Sequence, residues 1–148
     1  MVIRGRLPLE LVGWHLCRGA AVIDQHDIQS IQALRTPLAH FAIECNSTAQ
    51  AAYLEQTGEH GISLADPVAM AIALEPGIST ASSSHYIDVE TVSSLTRGMT
   101  VVDRLGVAGN ERNQSIWQEL LEHPANAKVH WSLDVRQWKK CLFEALSR

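Results

Sequence analysis

From Gly61 to Pro76 the chain reads Gly-Ile-Ser-Leu-Ala-Asp-Pro-Val-Ala-Met-Ala-Ile-Ala-Leu-Glu-Pro, an apolar run with one carboxylate, Asp66, at its mouth. The alanine-rich stretch to Leu74 has high helix propensity, because alanine loses no side-chain entropy in a helix. Asp66 followed by Pro67 has the form of an N-cap with proline at the first helical position. Glu75-Pro76-Gly77 supplies the stop. Such a helix is apolar nearly all round, which predicts burial on several sides. The chain must therefore wrap other elements around it.

Those elements are readable on either side. Leu9 to Leu16 follows Pro8 and is rich in apolar, β-type residues, as a buried strand would be. Asp24 is an N-cap for a helix whose apolar face carries Ile28, Ile31 and Leu34. Thr36-Pro37 signals a second helix start. From there Leu38, Phe41, Ala42, Cys45, Ala49, Ala52 and Tyr53 recur at helical spacing until Gly58. This predicts one helix of about 20 residues, about 30 Å long. Ser79 to Ser84 reads as a loop, Tyr86 to Val92 as a strand, and Gly98 as a turn into a strand over 99–102. Residues 106–115 read as loop. Val129, Trp131, Leu133 and Val135 alternate with His130, Ser132 and Asp134, the pattern of a half-buried strand. Asp134 and Gln137 then open a final helix with a stripe of Trp138, Cys141, Leu142 and Ala145. Strand and helix signals alternate, so the fold class is α/β, with a small antiparallel part over 85–103. No repeat or long linker divides residues 1–148, which are expected to form a single domain.

Composition narrows the partners. A hydrophobic share of 46% and a net charge of −4 are not those of a disordered chain. Lys139-Lys140 is the only adjacent basic pair, so there is no basic stripe to suit a nucleic acid. No apolar run reaches the length of a membrane span, and the N-terminus lacks a signal-peptide core. A cytoplasmic location is expected. Cys17, Cys45 and Cys141 are scattered, as buried thiols in a reducing compartment would be. His15 shares a strand face with Cys17, but a plain packing role is the expectation for both. No two histidines have the spacing of a helical zinc pair, and no nucleophile elbow or phosphate loop is present.

The Gly61–Pro76 segment resembles the second metal-binding segment of the nucleoside hydrolases, calcium-dependent enzymes that cleave the N-glycosidic bond of ribonucleosides. Thr96-Arg-Gly-Met-Thr-Val-Val-Asp103 is similar to a later strand-turn segment of that family. Leu133-Asp-Val-Arg-Gln-Trp138 is similar to its last strand entering the closing helix. The resemblance covers nearly all 148 residues but only the C-terminal half of the family's length. It implies the C-terminal half of a Rossmann-type three-layer fold. It also implies a calcium cofactor with Asp66 as ligand, and a ribonucleoside substrate contacted by Tyr53 and His60. Each residue has a plainer role beside this one. Asp66 serves as a helix cap, Tyr53 continues the core stripe, and His60 lies in the loop before Gly61.

Three departures matter. Ala65 stands where many members carry a histidine that assists the leaving base. The family's opening Asp-x-Asp-x-Gly-x-Asp-Asp cluster, source of most calcium ligands and the base, does not occur in this sequence. Nor does the Asn-rich ribose-binding segment. No catalytic residue is therefore assigned, and the chain alone is expected to be inactive. Two readings follow: part of a ribonucleoside-cleaving enzyme, or a non-catalytic remnant acting as an interaction module. In either, stripping one face of a layered fold leaves apolar surface, so a homo-oligomer or another partner across that face is expected.

Overall fold

The computed structural model describes residue 3 and residues 7–107, 109–113 and 125–148. Its elements run β1 (Glu10–Val12), β2 (Ile23–Asp24), α1 (Gln25–Ala33), α2 (Pro37–Cys45), α3 (Ser47–Thr57) and β3 (Gly61–Ile62). They continue as α4 (Ala65–Leu74), β4 (Ser79–His85), β5 (Ile87–Val89), β6 (Thr100–Val102), β7 (Ala127–Leu133) and α5 (Val135–Leu146). The class is α/β. The strands form one three-stranded sheet in the order β1-β7-β4 and two two-stranded ribbons, β2-β3 and β5-β6. The chain divides into two compact units. Val12–Ala81 with Trp131–Arg148 make a helical unit, and Met1–Leu11 with Ser82–His130 make a hairpin unit.

Local chemistry starts the helices of the helical unit. Asp24 Oδ1 accepts the Asp27 N–H at 2.9 Å while Asp27 Oδ2 accepts the Asp24 N–H at 3.1 Å, a reciprocal cap on α1. Thr36 Oγ1 accepts from Ala39 N at 3.1 Å at the start of α2, and donates to the Leu146 carbonyl at the end of α5. Asp134 Oδ1 accepts from Arg136 N at 2.9 Å and Gln137 N at 3.1 Å, opening α5. Gly58 ends α3 at φ 75°, a left-handed conformation that glycine enters without steric cost. The core of the unit joins Ile23, Ile31, Ile62, Val68, Ile72 and Trp138. The Trp138 indole N–H donates to the Ala21 carbonyl at 3.1 Å.

Several expectations are revised here. The single long helix is two helices, α2 and α3, separated at Asn46. The Asn46 side-chain amide donates to the Ala42 carbonyl at 2.9 Å, a local bond that competes with helix continuation. The buried stripe is also displaced. Ala39 is the buried residue of α2, whereas Leu38, Cys45 and Phe41 (66% exposed) face solvent. Only Glu10–Val12 of the expected Leu9–Leu16 strand forms a strand, and Trp14–Cys17 is a 3-10 turn. Ser79–His85 is a strand rather than a loop, tied to β7 by a 2.6 Å bond between Thr80 Oγ1 and Ser132 Oγ. In α5, Phe143 and Leu146 join the core while Ala145 is exposed. The apolar helix α4 buries Val68, Ala71 and Ile72 but leaves Met70 and Leu74 60% and 69% exposed.

In the hairpin unit, β5 and β6 pair antiparallel with Ile87 opposite Val102 and Val89 opposite Thr100, the small antiparallel part the sequence indicated. Asn126 copies a strand neighbour. Its side chain accepts from Ile87 N at 2.8 Å and donates to Ile87 O at 2.9 Å. His130, expected on the polar face of β7, is 2% exposed. Its Nε2 meets Glu10 Oε2 at 2.9 Å, and Lys128 Nζ meets the other oxygen of Glu10 at 3.3 Å. A buried ring nitrogen needs such a partner, and β1 supplies it. These contacts, the His130 hydrogen bond first and Lys128 second, hold the Glu10 carboxyl below its ordinary value of 4.5. A carboxyl lowered on folding stabilises the fold above its unfolded pKa and loses that contribution as pH falls through its folded pKa. Wild-type stability is therefore expected to decline below pH 4.5 more steeply than that of Glu10→Gln, as read by urea unfolding at pH 7, 5 and 3.5. Parallel declines would show that Glu10 has no part in it.

Candidate functional site

Asp66 does not cap α4. The N-cap position is Leu64, and Asp66 lies inside the first turn with Pro67 following it. The helix begins earlier than the Asp-Pro signal implied, so the carboxylate meets the helix dipole instead of closing an N–H bond. Asp66 is exposed and makes no hydrogen bond or ion pair among the described residues. Three residues earlier, the Ser63 Oγ is buried and has no hydrogen-bond partner among them. A buried hydroxyl left unpaired costs about 1–3 kcal/mol, which makes the mouth of α4 a place where a polar contact is missing.

Tyr53 is half-buried on α3, which packs beside β3. Its ring lies against Gly61. A Cβ added at Gly61 would come within 3.2 Å of Tyr53 Cε1 and 2.7 Å of Val22 Cγ1, so only glycine allows this approach. His60 is exposed and immediately precedes Gly61. On the other side of the ribbon, β2 places Asp24 opposite Gly61 and Ile23 opposite Ile62. The Tyr53 ring and the backbone of Asp24 thus flank Gly61, and His60 precedes it in the chain.

Asp24, His26 and Asp27 present ligand atoms within 4.8 Å of one another, and His26 is the member that sequence reasoning missed. Its position between two caps was the available signal. Both carboxylates are already engaged. They form the reciprocal cap of α1, and Lys139 Nζ pairs with Asp27 Oδ2. The Asp24 carboxyl is held below its ordinary value, chiefly by the Asp27 N–H and also by the Lys139 charge. The group is explained as a helix start with its own cation.

Calcium takes six to eight oxygen ligands. The mouth of α4 offers one free carboxylate and one unpaired hydroxyl, so these residues do not by themselves fit the ion. Cysteine chemistry is also disfavoured. Cys17 is buried and its Sγ donates to the Trp14 carbonyl at 3.0 Å, while His15 stacks toward Trp131 with ring centres 6.2 Å apart. Burial pushes the Cys17 and Cys141 thiols up, away from the reactive thiolate. A surface depression at the α1–α2 corner is lined by Gln32, Arg35, Thr36, Pro37, His40, Ile43 and Glu44, with no residue of β3 or α4.

Comparison with known proteins gives a consistent picture. A family profile described as inosine-uridine preferring nucleoside hydrolase matches residues 1–140. The pyrimidine-specific ribonucleoside hydrolase RihA of Shewanella woodyi is 32% identical over 117 residues, which are 78% of this chain and 37% of that protein. Its counterpart in Shewanella sp. (strain ANA-3) is 28% identical over 148 residues, 99% of this chain and 42% of the relative. Among solved structures, the plant nucleoside hydrolase PpNRh1 superposes with a TM-score of 0.76 at 14% identity, over 99% of this chain and 43% of its own. The purine-preferring ribonucleoside hydrolase from Gardnerella vaginalis gives 0.72 at 18% identity, over 99% and 42%. The chain spans about two-fifths of the length of the relatives it matches.

Proposed function

We propose that this chain, which belongs to the inosine-uridine preferring nucleoside hydrolase family, forms part of an enzyme that hydrolyses the N-glycosidic bond of ribonucleosides to ribose and free base. In this reading Asp66 is a metal ligand, and Tyr53 and His60 form a wall of the base pocket. The observation that carries it is the exposed carboxylate of Asp66 in the first turn of α4, uncommitted among the described residues. The Tyr53 ring against Gly61 adds support, because an aromatic ring suits a planar base, and the exposed His60 immediately precedes that glycine in the chain.

Calcium is the cofactor the resemblance implies. Since these residues do not complete its coordination, the remaining ligands and the general base come from another part of the fold. Ala65 has no proton to give a leaving base, and relatives named for pyrimidines and for purines both match, so either class remains a substrate. The proposed setting is nucleoside salvage in the cytoplasm. A second reading is a non-catalytic homologue acting as an interaction module.

The test is to co-express the chain with the part of the Shewanella sp. relative that it does not match, then assay base release from uridine and inosine. Calcium-dependent hydrolysis is expected, falling about 10²-fold or more in Asp66→Ala, as loss of a metal's charge stabilisation would dictate. A complex that forms but turns over neither substrate would favour the interaction module. Turnover untouched by Asp66→Ala would remove Asp66 from the site.

A further inference from the structure

We propose that Ser83 and His85 of β4 form a second reactive centre, a serine nucleophile with its general base, which takes the acyl group from small carboxylic esters. Both residues lie in the hairpin unit, and the inference uses none of the residues assigned to nucleoside cleavage.

Alternate residues of a strand share a face, so β4 sets the Ser83 and His85 side chains next to each other. Ser83 Oγ lies 2.7 Å from His85 Nε2, and His85 Nδ1 lies 3.0 Å from the main-chain carbonyl of Asp103, the residue after β6. A carbonyl only accepts, so in the neutral imidazole Nδ1 carries the proton and Nε2 is the acceptor. The Ser83 hydroxyl therefore donates to Nε2. An activated serine needs this order of groups: a nucleophile, a base, and a third group that orients the base. The Asp103 carbonyl is what separates the pair from a chance surface contact. Ser83 is exposed and His85 half-buried, so the nucleophile is open to a substrate while the base is held. Of the three consecutive serines 82–84, it is Ser83 that meets the ring.

The chemistry follows from these atoms. Ser83 Oγ attacks the ester carbonyl carbon and forms a C–O bond while its proton passes to His85 Nε2. The tetrahedral intermediate then breaks its bond to the alcohol oxygen, and the alcohol leaves with the proton from Nε2. Water adds to the acyl-serine by the same route. Its proton goes to Nε2 and on to Ser83 Oγ as the acid departs. For the oxyanion the strand offers a main-chain donor. The His85 carbonyl accepts from Asn126 N at 3.0 Å, so residue 85 turns its backbone groups toward that neighbour. Ser84, one residue away, turns its N–H to the opposite side, and β4 is an outer strand of its sheet. Each oxyanion donor is worth about 10²–10³-fold, so a centre with one such donor suits esters with good leaving groups rather than amides.

The experiment treats the 148-residue chain with a fluorophosphonate, an electrophile that reacts with activated serines, and locates the adduct by peptide mass spectrometry. One phosphonyl group on Ser83 is expected, with none on Ser82 and none in denaturing urea, which parts Ser83 from His85. Ser83→Ala is expected to lose the adduct. His85→Asn is expected to slow labelling about 10²-fold or more, the usual worth of a general base, with the circular dichroism spectrum unchanged. Should His85→Asn unfold, His85→Gln serves instead, since its amide can donate to the Asp103 carbonyl. Nitrophenol release from p-nitrophenyl acetate is expected to fall about tenfold or more in Ser83→Ala, to the level that exposed imidazoles alone supply. No adduct on the folded wild-type chain, an adduct only at another residue, or an equal labelling rate in a folded His85 variant would overturn the proposal and leave a surface hydrogen bond. Labelling of Ser83 without any loss of ester cleavage in Ser83→Ala would overturn the ester assignment.

Discussion

The 148-residue chain, purified alone, is expected to release no base from inosine, uridine or p-nitrophenyl riboside above background, with or without calcium. Hydrolysis of a glycosidic bond uses two groups with separate tasks, one to activate water and one to aid the leaving group or the cationic sugar. General base catalysis contributes about 10²–10⁴-fold, and a metal several kcal/mol of charge stabilisation. Among the described residues, Asp24 and Asp27 have their oxygens on helix N–H groups and Lys139, so they are poor candidates for a base. Asp66 is exposed and makes no hydrogen bond or ion pair among these residues. His60 is exposed on the ribbon loop with nothing to exclude water from it. A reducing-sugar assay with micromolar chain suffices as the measurement. Calcium-dependent turnover by the chain alone, abolished in Asp66→Ala, would show that these residues hold a complete site after all.

What was legible in the sequence was local. The caps at Asp24, Thr36 and Asp134 and the stop at Gly58 depend on bonds spanning two to four residues, and all four stand where the sequence put them. The β5-β6 hairpin was readable for the same reason, through alternation and the Gly98 turn. Features decided by distant partners were not. Ser79–His85 has the composition of a loop, and only pairing with β7, some 50 residues on, makes it a strand. His130 alternates like a solvent-facing residue, but Glu10, 120 residues away in the chain, makes its burial tolerable. The Asn46 break lies between these cases, since its side-chain bond is local but the residue sits within an otherwise helical pattern. At the site, the Asp-Pro motif located the mouth of α4, although the helix starts before it. The packing of Tyr53 on Gly61 is tertiary and has no trace in the spacing of either residue.

The largest single-residue effect on stability is expected at Trp138, and it separates packing from exposure among the tryptophans. Trp138 is 1% exposed in the core of the helical unit, and its indole N–H satisfies the Ala21 carbonyl. Trp138→Ala removes the ring and leaves a cavity, a change that costs about 3–5 kcal/mol in protein cores. Leaving the Ala21 carbonyl unpaired adds about 1 kcal/mol or more. A domain of this size has about 5–15 kcal/mol in total, so the variant is expected to be largely unfolded or close to it at 37 °C. Trp138→Phe keeps much of the volume and loses the hydrogen bond, so about 1–3 kcal/mol is expected. Trp14 is the control. It is more than half exposed, and its ring holds the Arg18 guanidinium 5.3 Å from its centre. An exposed cation–π contact of that kind is worth about 0.5–1 kcal/mol, and Trp14→Ala should lose no more. Urea unfolding of the three variants gives the order directly. A Trp138→Ala chain no less stable than Trp14→Ala would mean that the core of the helical unit is not built around this indole.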